Sequence, residues 1–132
     1  MSTRASIKFI DKDGNFLANV YHHYDGYPQY LGAKLLELTS SKMVNGLPST
    51  MVVGELFNGM ECLVASVISR LKTQPGNVYI YPESAFGQSD EDYLYMVVED
   101  HIGTRVSITV SKDNGENWED VEKVLKLDKE KQ

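Results

Sequence analysis

"ASIKFIDKDGNFLANVYHHY", residues 5–24, holds two runs of alternating apolar and polar side chains on either side of Asp13-Gly14. That dipeptide tolerates the positive φ of a tight type I′ turn, so the segment is predicted to be a β-hairpin. Placing Asp13 and Gly14 at the tip pairs Phe9 with Ala18, Ile7 with Val20 and Ala5 with His22. Directly opposed residues share a face, so one face is apolar and ends at His22. The other carries Lys8 with Asn19, Ser6 with Tyr21 and Arg4 with His23. A slip of one residue would mix the two sets, and the symmetric register keeps the apolar face intact.

Beyond the hairpin the period changes. Leu31, Leu35 and Leu38 fall at spacings of four and three, which predicts a short helix from about Pro28 to Ser40. Pro28 suits its first turn, where an amide has no intrahelical partner. After a loop through "MVNGLPS", a broad apolar face from Val52 to Leu71 predicts a helix of about twenty residues capped by Ser49 or Thr50. On it, Gly54, Asn58 and Cys62 form a stripe of small side chains, which we read as a tight packing surface. "TQPGN" ends that helix.

Val78 to Tyr81, Tyr93 to Glu99 and Arg105 to Ser111 are alternating or β-branched runs expected to be antiparallel strands. The tail from Trp118 fits a helix through Trp118, Val121 and Leu125, or a strand through Val121, Lys123, Leu125 and Leu127. Asn114-Gly115, a hairpin signal directly after a strand, favours the strand. The expected fold is a single α+β domain over 1–132 with a frayed tail from 128. Its two layers are a mainly antiparallel sheet of five to six strands and two helices packed on one face.

The 132-residue length suits one core, and 42% hydrophobic with 24% charged residues matches ordinary globular chains. No apolar run approaches the roughly 20 residues of a membrane span, and the N-terminus has no continuous apolar core, so a cytoplasmic protein without membrane contact is expected. A lone Cys62 in an apolar pattern is read as a small hydrophobe in a reducing compartment. The net charge of −6, with basic residues scattered singly, argues against direct nucleic-acid binding.

Ser111, Asp113, Gly115 and Trp118 fit the spacing S-x-D-x-G-x-x-W. This resembles the Asp-box of sialidases and other β-propellers, a hairpin-turn device repeated across blades. Here it occurs once, with Asn117 where that family usually has threonine. The resemblance implies the turn and not the activity. No Walker-type loop, G-x-G-x-x-G or H-E-x-x-H is present, and no cofactor is called for. His22 and His23, adjacent on a strand, point to opposite faces and so do not share a metal ion; no metal site is predicted.

The densest chemistry lies in "YHHYDGYPQY", residues 21–30. The register puts His22 and Tyr24 on the helix-covered side and Tyr21 and His23 on the open side with Arg4. Asp25-Gly26 then turns the chain into a helix whose first amides are free to hold an anion, or to be capped by Asp25 itself. The segment is therefore at least a structural joint. As a ligand site its candidate residues are Arg4, Tyr21, His22, His23, Tyr24, Asp25 and Tyr27.

Thr3, Arg4 and Ala5, followed by a hairpin and then Tyr21, His22, His23, Asp25, Gly26, Tyr27 and Pro28, form a pattern over the first forty residues. It resembles a group of small phage and prokaryotic proteins that begin T-R-A, form a short hairpin and continue with an aromatic, Arg or His, His, any residue, D-G-Y-P. His22 stands at the position that carries arginine in the pattern, which removes a permanent positive charge. The resemblance implies shared origin and a local motif. From it and the composition we expect a phage-type accessory binding protein without catalytic activity. Such a protein would inhibit a host antiviral defence by binding a host protein or by sequestering a nucleotide signal on Tyr21, Tyr24 and Tyr27. Two other readings are a small hydrolase or phosphodiesterase using the His-His-x-Asp cluster, and an acidic mimic of nucleic acid. An edge strand or the aromatic face would also permit a homo-oligomer.

Overall fold

In the computed structural model, which describes residues 2–44 and 56–130, the hairpin pairs in the register its side chains require. Strand β1 (Ala5–Ile10) and strand β2 (Phe16–His22) run antiparallel with Ala5 opposite His22, Ile7 opposite Val20 and Phe9 opposite Ala18. The tip differs from a type I′ turn. Gly14 alone of the pair has positive φ, and the ladder shifts between Phe9 and Ile10. The reason is Asp11, whose carboxylate accepts the amides of Asp13 and Asn15 at 3.0 and 2.9 Å and holds a wider loop closed. Those amides lower the Asp11 pKa.

A π-helical turn (Pro28–Gly32) runs into helix α1 (Ala33–Leu38), so the leucine period after Pro28 is helical as expected. Strand β3 (Lys42–Val44) pairs in parallel with β4 (Leu56–Asn58), and helix α2 (Gly59–Leu71) follows. The long helix expected from Ser49 or Thr50 therefore begins at Gly59. Its earlier residues Ser49, Thr50, Val52, Val53 and Gly54 lie outside the described residues. Asn58 stands ahead of the helix and Gly59 has a φ of +83°, so the stripe through Asn58 and Cys62 does not form. Cys62 is half-buried against the core.

Strands β5 (Val78–Tyr81), β6 (Tyr93–Glu99) and β7 (Val106–Ser111) fall where the alternation puts them. With β8 (Glu119–Asp120) they complete a six-stranded sheet in the order β5-β2-β1-β6-β7-β8. The sheet is mainly antiparallel. Its exception is β6, which lies parallel to β1.

The tail is the main correction. The Asn114-Gly115 turn does return the chain, since both residues have positive φ, but the returning strand lasts two residues before helix α3 (Val121–Glu130) begins. Val121 is fully buried in the common core, with Val124 and Leu125 packed beside it. Spacings of three and four bring those residues to one helical face, whereas a strand would have pointed Val124 away from Val121. Gly32 permits this docking: a Cβ there would stand 2.9 Å from Val121 Cγ1. The helix layer thus has three members, all on the face carrying Ile7, Phe9, Val20, Tyr95, Val97, Ile108 and Val110.

The opposite face is partly roofed by the segment 82–92. Asn19 donates to the Pro82 carbonyl at 3.1 Å, and Ser6 donates to Glu91 at 2.7 Å. Lys8 lies 3.7 Å from Glu83 and 4.6 Å from the Phe86 ring centroid. At one end of this face the rings of Tyr79 and Tyr81, beside Tyr21, are exposed.

The Asp-box-like turn forms as its spacing implies. Ser111 Oγ donates to Asp113 Oδ1 at 2.7 Å, Asn117 gives that carboxylate both its amide and its side chain, and Trp118 Nε1 donates to the Gly115 carbonyl at 3.1 Å. These donors, led by the Asn117 side chain, bring the Asp113 pKa down to about 2.

Candidate functional site

The stretch after β2 is held by close approach of backbones. Gly26 donates its amide to the Thr3 carbonyl at 2.8 Å, and its own carbonyl accepts the buried Tyr95 hydroxyl at 2.7 Å. A Cβ on Gly26 would lie 2.7 Å from Ala5 Cβ, so this residue is glycine because the hairpin and the turn touch there. Asp25 adopts the left-handed conformation at φ 53°, and the helical turn after Tyr27 has no side-chain cap. Capping of the helix by Asp25 is therefore not what closes this joint.

The seven candidate residues do not form one site. On the open face Tyr21, His23 and Tyr24 meet Tyr79 and Tyr81, together with Gly76 and Ser89, around a shallow dish of about 500 Å³. Tyr21 is its floor, only 7% exposed, with ring centroids 6.1 and 6.0 Å from those of Tyr79 and Tyr81. Its hydroxyl is 2.8 Å from His23 Nδ1, and the Tyr24 ring stands edge-on to His23 at 4.6 Å. Burial raises the Tyr21 pKa while the nearby Arg4 side chain opposes that rise; Arg4 does not line the dish. Which of the Tyr21 hydroxyl and His23 Nδ1 donates is set by the imidazole tautomer. Lys72 adds a cation 5.7 Å from the Tyr79 ring centroid.

Tyr24 departs from its expected side. Beyond the last ladder pair the strand alternation lapses, and Tyr24 swings to stand between the dish and a second cleft across the sheet. That cleft holds His22 and Asp25. His22 is 5% exposed, and burial pushes its imidazole pKa down, opposed by the Tyr24 carbonyl and the Asp25 charge. Tyr27 joins neither; its ring lies 6.3 Å from that of Tyr30. Among the described residues neither imidazole is hydrogen-bonded to the Asp25 carboxylate. No group of three His, Cys, Asp or Glu there could hold a metal ion.

Sequence reasoning missed Tyr79 and Tyr81. Their signal was available in "VYIY", where two aromatics at period two must share one face, but nothing local places that face beside Tyr21. The strand pairing does, setting Tyr21 opposite Tyr79. Several acidic residues also have structural work. Glu91 accepts the amides of Gly87 and Ser89, Asp92 that of Arg4, Glu99 that of Lys12, and Asp100 those of Gly103 and Thr104.

Compared with protein-family models, curated proteins and solved structures, the chain matches none. Among the described residues, no helix is long and apolar enough to cross a membrane.

Proposed function

We propose that the protein is a non-enzymatic binding protein that engages a partner protein through the aromatic dish and the adjoining edge strand β5. The observation that carries this is the exposure of β5: Tyr79, Ile80 and Tyr81 are 43, 63 and 40% exposed. The strand stands at the sheet edge and pairs only with β2 among the described residues. Large side chains exposed on both faces of an unpaired edge suit addition of a partner's strand, with tyrosines as anchors. The resemblance of the first forty residues to phage proteins supports a host factor of an antiviral defence as that partner, met in the cytoplasm. The acidic-mimic reading is weaker, because Glu91 and Asp92 of the densest acidic run serve to brace backbone amides. The hydrolase reading lacks the His–Asp hydrogen bond it requires.

A second reading, sequestration of a nucleotide, is favoured by the exposed tyrosine faces beside the Tyr21–His23 pair. The experiment separating the two is capture from a bacterial host lysate, with binding then measured for the native chain and a Tyr79→Ser/Tyr81→Ser variant. The variant is expected to bind the captured protein about thirtyfold more weakly or worse, the loss typical of interface anchors. Equal binding by both chains would sink the proposal. A thermal shift with cyclic or linear nucleotides that disappears in the same variant would replace the protein partner by a nucleotide.

A further inference from the structure

The two edges of the sheet are finished differently. At one end β8 is two residues long, and both, Glu119 and Asp120, are acidic and exposed. Shortness and charge are the usual means by which an edge strand avoids pairing with another chain. At the other end β5 carries no charge, and Tyr79, Ile80 and Tyr81 are all exposed.

The backbone of β5 shows what that edge offers. The His23 amide donates to the Asn77 carbonyl at 2.9 Å, so alternation along the antiparallel ladder makes Tyr21 with Tyr79 and Asn19 with Tyr81 the hydrogen-bonded pairs. The amides and carbonyls of Val78 and Ile80 are then directed away from β2. Lys72 marks that direction, since its Nζ donates to the Val78 carbonyl at 3.1 Å. Ile80 therefore holds out one donor and one acceptor to an added strand, and the edge ends at Pro82, which has no amide to give.

The strand that matches these groups is β5 itself. Tyr79-Ile80-Tyr81 reads the same in both directions. Antiparallel pairing about a two-fold axis at Ile80 lets that residue exchange both backbone bonds with Ile80 of a second copy. It sets each Tyr79 opposite Tyr81 of the other copy on the dish face, and joins the two Ile80 side chains on the face of Val20. Val78 then meets Pro82 of the second copy, where the missing proline amide leaves no orphan because Lys72 already serves the Val78 carbonyl. The same register brings Lys72 of each copy to the end where the other carries Glu83, whose side chain is 56% exposed. Opposite charges thus meet at both ends of the contact.

We propose that, without its partner, the protein is a homodimer whose two six-stranded sheets join edge to edge through β5. This rests on the reading of β5 as an edge open to strand addition, and it adds a regulation: the partner's strand must displace the second copy. A four-residue strand covers less than the roughly 800 Å² per partner of a stable interface, so the dimer is weak, with a Kd on the order of 10–100 µM.

The test is sedimentation equilibrium of the full chain from about 5 to about 500 µM, a range spanning that Kd, with amide hydrogen exchange at both ends. The mass is expected to rise from 14.9 kDa toward twice that value, and the Ile80 amide to gain protection with concentration. Ile80→Pro removes the donors of both exchanged bonds and none from the ladder with β2, and it should weaken the dimer about tenfold or more. If that variant does not fold, Ile80→Lys carries the same test, since it sets like charges on the two-fold axis at an exposed position. The proposal is overturned by a mass that stays at 14.9 kDa throughout, by an Ile80 amide no better protected in the concentrated sample, or by a dimer that survives the substitutions at Ile80. A monomer that still captures a partner through Tyr79 and Tyr81 would overturn the dimer and leave the proposed function standing. A dimer that captures nothing would remove that function and keep this contact.

Discussion

His22 and His23 are neighbours in the chain and occupy opposite sides of the sheet. His22 is buried behind the helices, in a cleft with Asn77, Lys34 and Arg70. His23 is half-buried on the aromatic side, bonded to the Tyr21 hydroxyl and flanked by Tyr24. The difference teaches that a histidine pair on a strand is two separate groups, because alternation sends successive side chains through opposite faces. A mechanism that uses both imidazoles on one atom has no geometric basis here. What the two sides share is the joint that follows them, where Gly26 binds the turn to β1 and Tyr95 binds it to the centre of the sheet.

That shared joint is the place to break the comparison. Gly26→Ala drives a methyl group to 2.7 Å from Ala5 Cβ and 3.0 Å from the Thr3 carbonyl, and neither neighbour is a flexible end. Chemical denaturation should show a loss of about 3 kcal/mol, the upper range for forced overpacking, and both sides of the sheet should loosen together. Tyr95→Phe keeps the ring and leaves the Gly26 carbonyl without its donor, for an expected loss of about 2 kcal/mol in the same assay.

The next prediction sharpens the contrast between the two histidines. Burial lowers the folded-state pKa of His22 from its ordinary 6.5, so the unfolded chain takes up the proton first. Its contribution to stability is whole above the unfolded pKa of about 6.5 and is lost as pH falls toward the lower folded value. His22→Leu should remove this acid destabilisation, seen as a flatter stability profile below that pH. An acid limb that survives His22→Leu unchanged would overturn the assignment. The smallest effect on folding is expected for Tyr79→Ser with Tyr81→Ser. Both side chains are about two-fifths exposed, and urea denaturation should record a change under about 1 kcal/mol for each.

The parts legible in the chain are those set by periodicity. Alternation in residues 5–22 specified the hairpin register, because a slip would have put Ile7, Phe9 and Val20 on the wrong face. The leucine spacing after Pro28 specified a helix, and the glycine turn at Asn114-Gly115 specified a reversal. The tail was harder, since Val121, Leu125 and Leu127 satisfy both periods over a short run. Burial of Val121 against Gly32 settles it in favour of the helix. The candidate list found Tyr21 and His23 together but joined them to His22, Asp25 and Tyr27, because proximity in sequence hides the faces of a strand that is ending.

By itself the sequence determined which side chains share a face: the apolar set of the hairpin, the split between His22 and His23, and the turn chemistry of Asp113. These follow from steric rules that operate over a few residues. Only the tertiary structure decided which faces meet. Parallel docking of β6 on β1 brings Tyr95 to Gly26, pairing of β5 with β2 sets Tyr79 and Tyr81 around Tyr21, and the end of α2 brings Asn77 and Arg70 to His22. Such neighbours are chosen by burying apolar area from distant segments in one core, a quantity to which no single stretch of the chain holds the key.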